Sequence, residues 1–200
     1  MTASTNALPV VAPAEGINGP PQGQWTYADY AALPDDGKRY ELIKGVLYVA
    51  PSPTFSHQAS NGRFFHYLFT HVELAGLGRV IAAPFDVELI PDTAAVQPDV
   101  LVVLNAHLDR ITESKLIGAP DLVVEVASPS TAGYDRRNKQ DAYAEAGVTE
   151  YWIADPASRS VEVLILQGQA YRSLGLFQGQ LTLPSKIVPN LPVQVQQFFG

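Results

Sequence analysis

Two carboxylates sit where a folded chain seldom tolerates them. Asp99 follows Pro98 at the head of an apolar run, residues 100–104, and Glu125 is the one charged interior residue of the nearly all-apolar stretch 120–127, beyond the Pro120-Asp121 that opens it. Taking either charge out of water costs several kcal/mol unless a cation or a metal compensates it. On neighbouring strands the two would also repel each other. A hard divalent cation between them removes that repulsion, and Mg²⁺ or Mn²⁺ prefers all-oxygen ligation with waters retained. With no cysteine in the chain, thiolate sites and cysteine nucleophiles are excluded, so any metal is held by oxygen or imidazole. Two readings without metal stand beside this one. Asp99 could cap a neighbouring turn, and Glu125 could form a buried salt bridge with Lys139 or Arg136.

Other chemistries have less behind them. His57 lies near a helix start, where a histidine is ordinarily a capping or surface residue, and His66, His71 and His107 show no metal-ligand spacing. Ser128-Pro129-Ser130 has no paired histidine and no nucleophile-elbow setting, and no glycine-rich loop resembles a phosphate cradle. Tyr143, Tyr151 and Trp152 read as core aromatics. The net charge of −7 argues against broad electrostatic coverage of a polyanion and leaves room only for cations gathered at one cleft.

The elements that must hold the carboxylates follow from pattern. Residues 1–23, rich in Ala, Pro, Gly, Ser and Thr, read as a disordered tail, leaving 24–200 as a single domain. Thr26 is a fitting N-cap for a short helix ending before Pro34. Residues 40–50 around Gly45 suit a hairpin or bulged strand, with Glu41 at its start. Apolar residues at three- and four-residue steps between 53 and 76 predict the longest helix. Residues 79–90 and 95–104 predict an antiparallel pair, and 120–127 a strand buried on both faces. A helix over 134–146 stops at Gly147, a strand covers 150–155, and the remainder from 161 reads as a β-meander. The order implies an α/β or α+β domain with a mixed sheet flanked by helices.

Pro98-Asp99 followed by Glu125-Val126-Ala127 resembles the PD-(D/E)xK nuclease signature. YELIKG, PDVLVV, DLVVEVASPST and the block DRRNKQDAYAEAGVTEYWIADP resemble more closely the Uma-two (Uma2) family of restriction-endonuclease-like proteins. The resemblance spans residues 26–200 and implies a restriction-endonuclease-like fold that hydrolyses a nucleic-acid phosphodiester, DNA by expectation, with Mg²⁺ or Mn²⁺ as cofactor. It implies that Asp99 and Glu125 bind the metal, joined by the carbonyl of Val126, and that Glu41 orients metal-bound water or holds a second ion. The chain departs from the superfamily signature at one position: where the signature has lysine two residues after the glutamate, this sequence has Ala127. Lys139, in the first turns of the following helix, is the expected replacement, positioning water or stabilising transition-state charge. A proton-abstracting role would require a lowered lysine pKa. Arg136, Lys139 and Tyr143 share a helix face by their spacing, and Arg136 and Arg137 are candidates for phosphate contacts.

The missing signature lysine and the acidic charge keep a second class open, an inactive nuclease-like module used for binding or assembly. A two-carboxylate glycosidase lacks a fitting aromatic context. A homodimer, a cytoplasmic location and no membrane span are the accompanying expectations.

Overall fold

The computed structural model describes residues 12–50, 52–127 and 134–200, with the backbone alone for residues 12 and 134–137. Among the described residues three α-helices, α1 (Tyr27–Ala31), α2 (Phe55–Leu68) and α3 (Tyr134–Ala146), accompany twelve strands. These are β1 (Ala12–Pro13), β2 (Arg39–Ile43), β3 (Val46–Ala50), β4 (Gly78–Ala82), β5 (Asp86–Ile90), β6 (Ala94–Val96), β7 (Val100–Leu104), β8 (Lys115–Ile117), β9 (Leu122–Val126), β10 (Glu150–Asp155), β11 (Ser160–Gln167) and β12 (Ala170–Gln178). They form two six-stranded mixed sheets, ordered β1-β3-β2-β6-β5-β8 and β12-β11-β10-β9-β7-β4. The result is an α+β architecture. Among the described residues no helix is long and apolar enough to cross a membrane.

Local chemistry explains the elements nearest the site. Thr26 caps α1 in a reciprocal box with Asp29. The β2–β3 hairpin turns on Lys44 and Gly45, both at positive φ (51° and 74°), the backbone that matches the twist of a two-residue hairpin. A Cβ at Gly45 would lie 2.5 Å from the carbonyl oxygen of Gly23, so only glycine fits. Helix α2 buries His57, Ser60, Asn61, Phe64 and Leu68, and Phe64 stacks on Phe198 with ring centroids 4.1 Å apart. The central strands β7 and β9 contribute Val100, Val102, Leu122, Val124 and Val126 to one core and Leu101, Val103 and Val123 to another on their opposite face. That is the burial on both faces expected of 120–127.

Two expectations change. The stretches 79–90 and 95–104 do not form one antiparallel pair. Each divides at a proline-containing link, around Pro84 and Pro98, and its halves enter different sheets: β5 pairs with β6 in one, β4 with β7 in the other. Proline lacks the N–H that would continue a ladder, so the chain leaves one sheet there and joins the next. The expected tail over 1–23 is also overturned for residues 12–23. Ala12 and Pro13 pair with Val49 and Tyr48, Ala14 is buried, and the Gln22 side chain clips to Ala14 O and the Leu47 N–H, both at 2.8 Å. A short edge strand gains its hydrogen bonds from β3 and needs no core of its own, which composition does not reveal. Residues 1–11 lie outside the described residues.

Candidate active site

The crossover that splits 95–104 also builds the site. Strand β6 belongs to the sheet containing β2, and β7 to the sheet containing β9, so Gln97-Pro98-Asp99 carries the chain from one to the other. Asp99 therefore stands where the two sheets meet. Continuing the antiparallel register Val100↔Val124 by one step puts Asp99 opposite Glu125. From the first sheet β2 supplies Arg39 and Glu41, from the flanking helices α3 supplies Lys139 and Tyr143, and α2 supplies His57.

The side chains interlock. Lys139 Nζ lies 2.9 Å from Glu41 Oε2 and 3.2 Å from Glu125 Oε1. Tyr143 donates its hydroxyl to the same Glu125 oxygen at 2.6 Å. Asp99 Oδ2 accepts from the Val126 N–H at 2.9 Å and lies 3.2 Å from His57 Nε2. The Arg39 guanidinium spans Asp99 Oδ1 at 3.4 Å and Glu41 Oε1 at 3.6 Å, and also donates to the Gln97 carbonyl oxygen. The Gln97 N–H donates to Glu41 Oε1 at 3.3 Å. Glu41, Asp99, His57 and Lys139 are all buried.

Among the described residues three carboxylates share two permanent cations, Arg39 and Lys139, and the largest shift falls on Glu125. Its burial, with Asp99 and Glu41 close by, pushes its carboxyl up to about 7 against the attraction of Lys139 and Arg39. For Asp99, burial works in the same direction, but His57, Arg39 and the Val126 N–H outweigh it and hold the group below the usual carboxylate range. Burial and the neighbouring Glu125 raise Tyr143 well above an ordinary phenol, so it remains a hydrogen-bond donor. Burial also opposes the charge on Arg39, yet Glu41, Asp99 and Glu125 keep it firmly protonated.

Elsewhere buried carboxylates are satisfied locally. Glu150, fully buried, accepts from Trp152 Nε1 at 2.6 Å and from the N–H groups of Lys186 and Ile187 at 2.8 and 3.2 Å. Asp121 accepts from the Leu104 N–H and meets His107. These are structural residues. The cluster at Asp99 and Glu125 differs because two carboxylates lie on adjacent strands and, at Glu125, burial and the neighbouring carboxylates outweigh the cations.

The structure brings together Glu41, Asp99, Glu125 and Lys139. Ala127, in the position of the signature lysine, sends its N–H to the carbonyl of Ala154 at 2.6 Å, and the ammonium beside Glu125 comes from α3. Arg136 and Arg137 fall in the first turn of α3, where their side chains lie outside the described residues. Three participants escaped sequence reasoning. Arg39 opens β2 at the end of a polar stretch, outside the elements read from pattern; His57 looked like a capping residue; Tyr143 looked like core, which it also is. The one available signal was the spacing that places Tyr143 and Lys139 on one helical face. Among the described residues no three His, Asp or Glu side chains are already arranged as a metal-ligand set. The donors that would fit a metal are two: the paired oxygens of Asp99 and Glu125. Both are hard carboxylates on adjacent strands, and at Glu125 burial and the neighbouring carboxylates outweigh the attraction of Lys139 and Arg39, which suits a hard divalent ion completed by water.

This architecture, with a carboxylate and lysine cluster at the junction of two mixed sheets, is that of a nuclease-like fold. The sequence matches the Uma2 family, described as "Putative restriction endonuclease", over residues 27–196, and the chain belongs to that family. Its structure is similar to the crystal structure of a protein from Anabaena variabilis described as a putative nuclease belonging to DUF820. The TM-score is 0.73 at 19% identity, over 87% of this chain and 97% of that one. A search of curated proteins finds no match.

Proposed function

We propose that this chain is a divalent-metal-dependent endonuclease that hydrolyses phosphodiester bonds in nucleic acid, DNA being the expected substrate. The observation that carries the reading is Lys139 Nζ at 3.2 Å from Glu125 Oε1, with Asp99 one register step across from that glutamate. The ammonium that the signature places two residues after the glutamate comes here from α3, beside carboxylates just before β7 and on β9.

In this reading Asp99 and Glu125 hold Mg²⁺ or Mn²⁺ with the Val126 carbonyl. When bound, the metal polarises a phosphoryl oxygen and lowers the pKa of attacking water. Arg39, His57 and the Val126 N–H fix the Asp99 carboxylate, so its oxygens are aligned before substrate arrives. Tyr143 and Lys139 do the same for Glu125. Lys139 reaches Glu41 and Glu125 together, which leaves its ammonium at the carboxylate edge, where it orients water and offsets charge that builds on the phosphoryl oxygens. Glu41 holds Lys139 in place and orients water.

One observation favours a second reading. Each carboxylate already has a cationic or hydrogen-bonding partner without metal, as an inactive binding module would require. Cleavage of supercoiled plasmid and of a single-stranded circle separates the two. Wild type nicks substrate in Mg²⁺ or Mn²⁺ but not in EDTA, and Asp99→Ala abolishes nicking while leaving the protein folded. A folded wild type that cleaves neither substrate with either metal contradicts the nuclease reading.

A further inference from the structure

Helix α2 has a second face with work to explain. The face carrying His57 turns to Asp99, while Phe55, Ser60 and Arg63 line a pocket of about 340 Å³ closed by Pro156, Arg159 and Phe199. That volume lies at the lower end of small-molecule sites, room for about one nucleotide. The pocket lies beside the end of β10 that neighbours Glu125 on β9. Strand β10 runs parallel to β9 with Ile153 opposite Glu125 and Ala154 opposite Val126, so Pro156 follows three residues beyond the partner of Glu125. At strand spacing that is about 10 Å along the chain from Ile153.

Its chemistry is unlike the rest of this surface. In a chain of net charge −7 with 13 Lys and Arg, two guanidiniums converge here, both beside Gly200, the last residue of the sequence, and no Asp or Glu side chain lines the pocket. Arg63 Nη1 donates to the Ala59 carbonyl at 3.1 Å, and Arg159 Nη2 donates to the Gly200 carbonyl. Each contact orients a guanidinium and leaves further N–H groups on it. Arg159 also occupies a left-handed backbone conformation, φ 52°, in the β10–β11 turn, where glycine or asparagine is the usual occupant. At the rim Phe55 is 89% exposed, an aromatic face presented to solvent two residues before His57.

We propose that this pocket is a nucleotide subsite for the strand being cut. Arg63 and Arg159 take a backbone phosphate, and Phe55 stacks on the unpaired base beside it, so the substrate strand passes over α2 as single strand next to the scissile bond. This rests on the nuclease reading above and adds to it a preference for substrates with an unpaired segment.

The test is fluorescence anisotropy in EDTA, which prevents cleavage, using a labelled thymidine oligonucleotide of about twenty nucleotides and a blunt duplex of similar length. Phe55→Ala is expected to weaken single-strand binding about tenfold, the scale of one stacked base, with unchanged salt dependence and unchanged duplex affinity. Arg63→Gln and Arg159→Asn, the latter keeping a residue at ease in the left-handed turn, are each expected to lower the slope of log K against log salt by about 0.7. All three should melt within a degree or two of wild type, as surface substitutions do. Wild-type affinities and slopes in all three variants, or equal losses for Phe55→Ala on both probes, overturn the subsite. Metal-dependent cleavage by wild type on the same day shows which idea has failed: cleavage with unaffected variants removes the subsite alone, whereas a wild type that neither binds nor cleaves removes the nuclease reading with it.

Discussion

Replacing Glu125 with glutamine should make the metal-free protein more stable while removing its activity. Glutamine mimics the protonated carboxyl, keeping an oxygen to accept from Tyr143 and Lys139. In the folded protein the carboxyl sits at about 7 against an ordinary value of 4.5, chiefly because it is buried. That difference is a factor of roughly 300 in proton affinity, or about 3 kcal/mol at 1.36 kcal/mol per tenfold. Because the folded value is the raised one, this glutamate's proton-linked contribution to stability is fully present below pH 4.5 and is lost as pH rises through about 7. In EDTA at pH 8.5, Glu125→Gln should therefore exceed wild type by roughly 1–3 kcal/mol, the upper end being the full linkage value. At roughly 2–4 °C per kcal/mol for a chain of this size, that is a rise of several degrees in Tm. The gap should close towards pH 4.5, and urea titrations at both pH values should show unchanged m-values. Saturating Mg²⁺ should then reverse the order, since a ligand at 100 times its Kd adds about 2.7 kcal/mol to the form that binds it. A variant no more stable than wild type at pH 8.5 would refute the claim that burial and the neighbouring carboxylates outweigh the cations around Glu125.

Asp99→Asn should show the opposite sign, destabilising at neutral pH, because Asp99 is held below the usual carboxylate range by His57 and Arg39. Its contribution is present above the unfolded value and lost as pH falls through the folded one, so acid titration of both proteins by circular dichroism should bring their stabilities together. Lys139→Met should lower kcat by about a hundredfold or more and destabilise the metal-free protein by about 3 kcal/mol, since it leaves two buried carboxylates without their ammonium; added Mg²⁺ should recover stability without recovering kcat. His57→Ala should weaken calorimetric Mg²⁺ affinity about tenfold, on the scale of lost outer-shell support, and His57→Gln, which retains a donor near Asp99, should largely restore it.

The elements around the site were legible where one local signal governed them. Thr26 capped its helix, the 134–146 pattern gave α3, and the apolar run with one charge gave β9. The carboxylates stood out because buried charge is conspicuous against valine and leucine. Sheet membership was not legible: both 79–90 and 95–104 look like continuous β-branched strands, and only tertiary pairing shows Pro84 and Pro98 as the places where the chain changes sheet. For the same reason Arg39 was missed. Its role depends on β2 lying beside the Gln97-Pro98-Asp99 crossover, a contact across about sixty residues of chain. His57 was misread because one histidine near a helix start carries no information about which face of that helix meets Asp99. The edge strand at Ala12 was hidden because its stabilisation comes from backbone hydrogen bonds, to which alanine and proline composition is silent.

The central claim is that Asp99 and Glu125 together hold a catalytic divalent metal. Isothermal calorimetry of Mn²⁺ into wild type, Asp99→Ala and Glu125→Ala at pH 8, each checked for fold by circular dichroism, tests it most directly. The account predicts saturable binding by wild type that is lost in both variants, with proton release by wild type that grows as pH is lowered towards 7. A folded wild type that binds no Mn²⁺, or variants that bind it as wild type does, would contradict it.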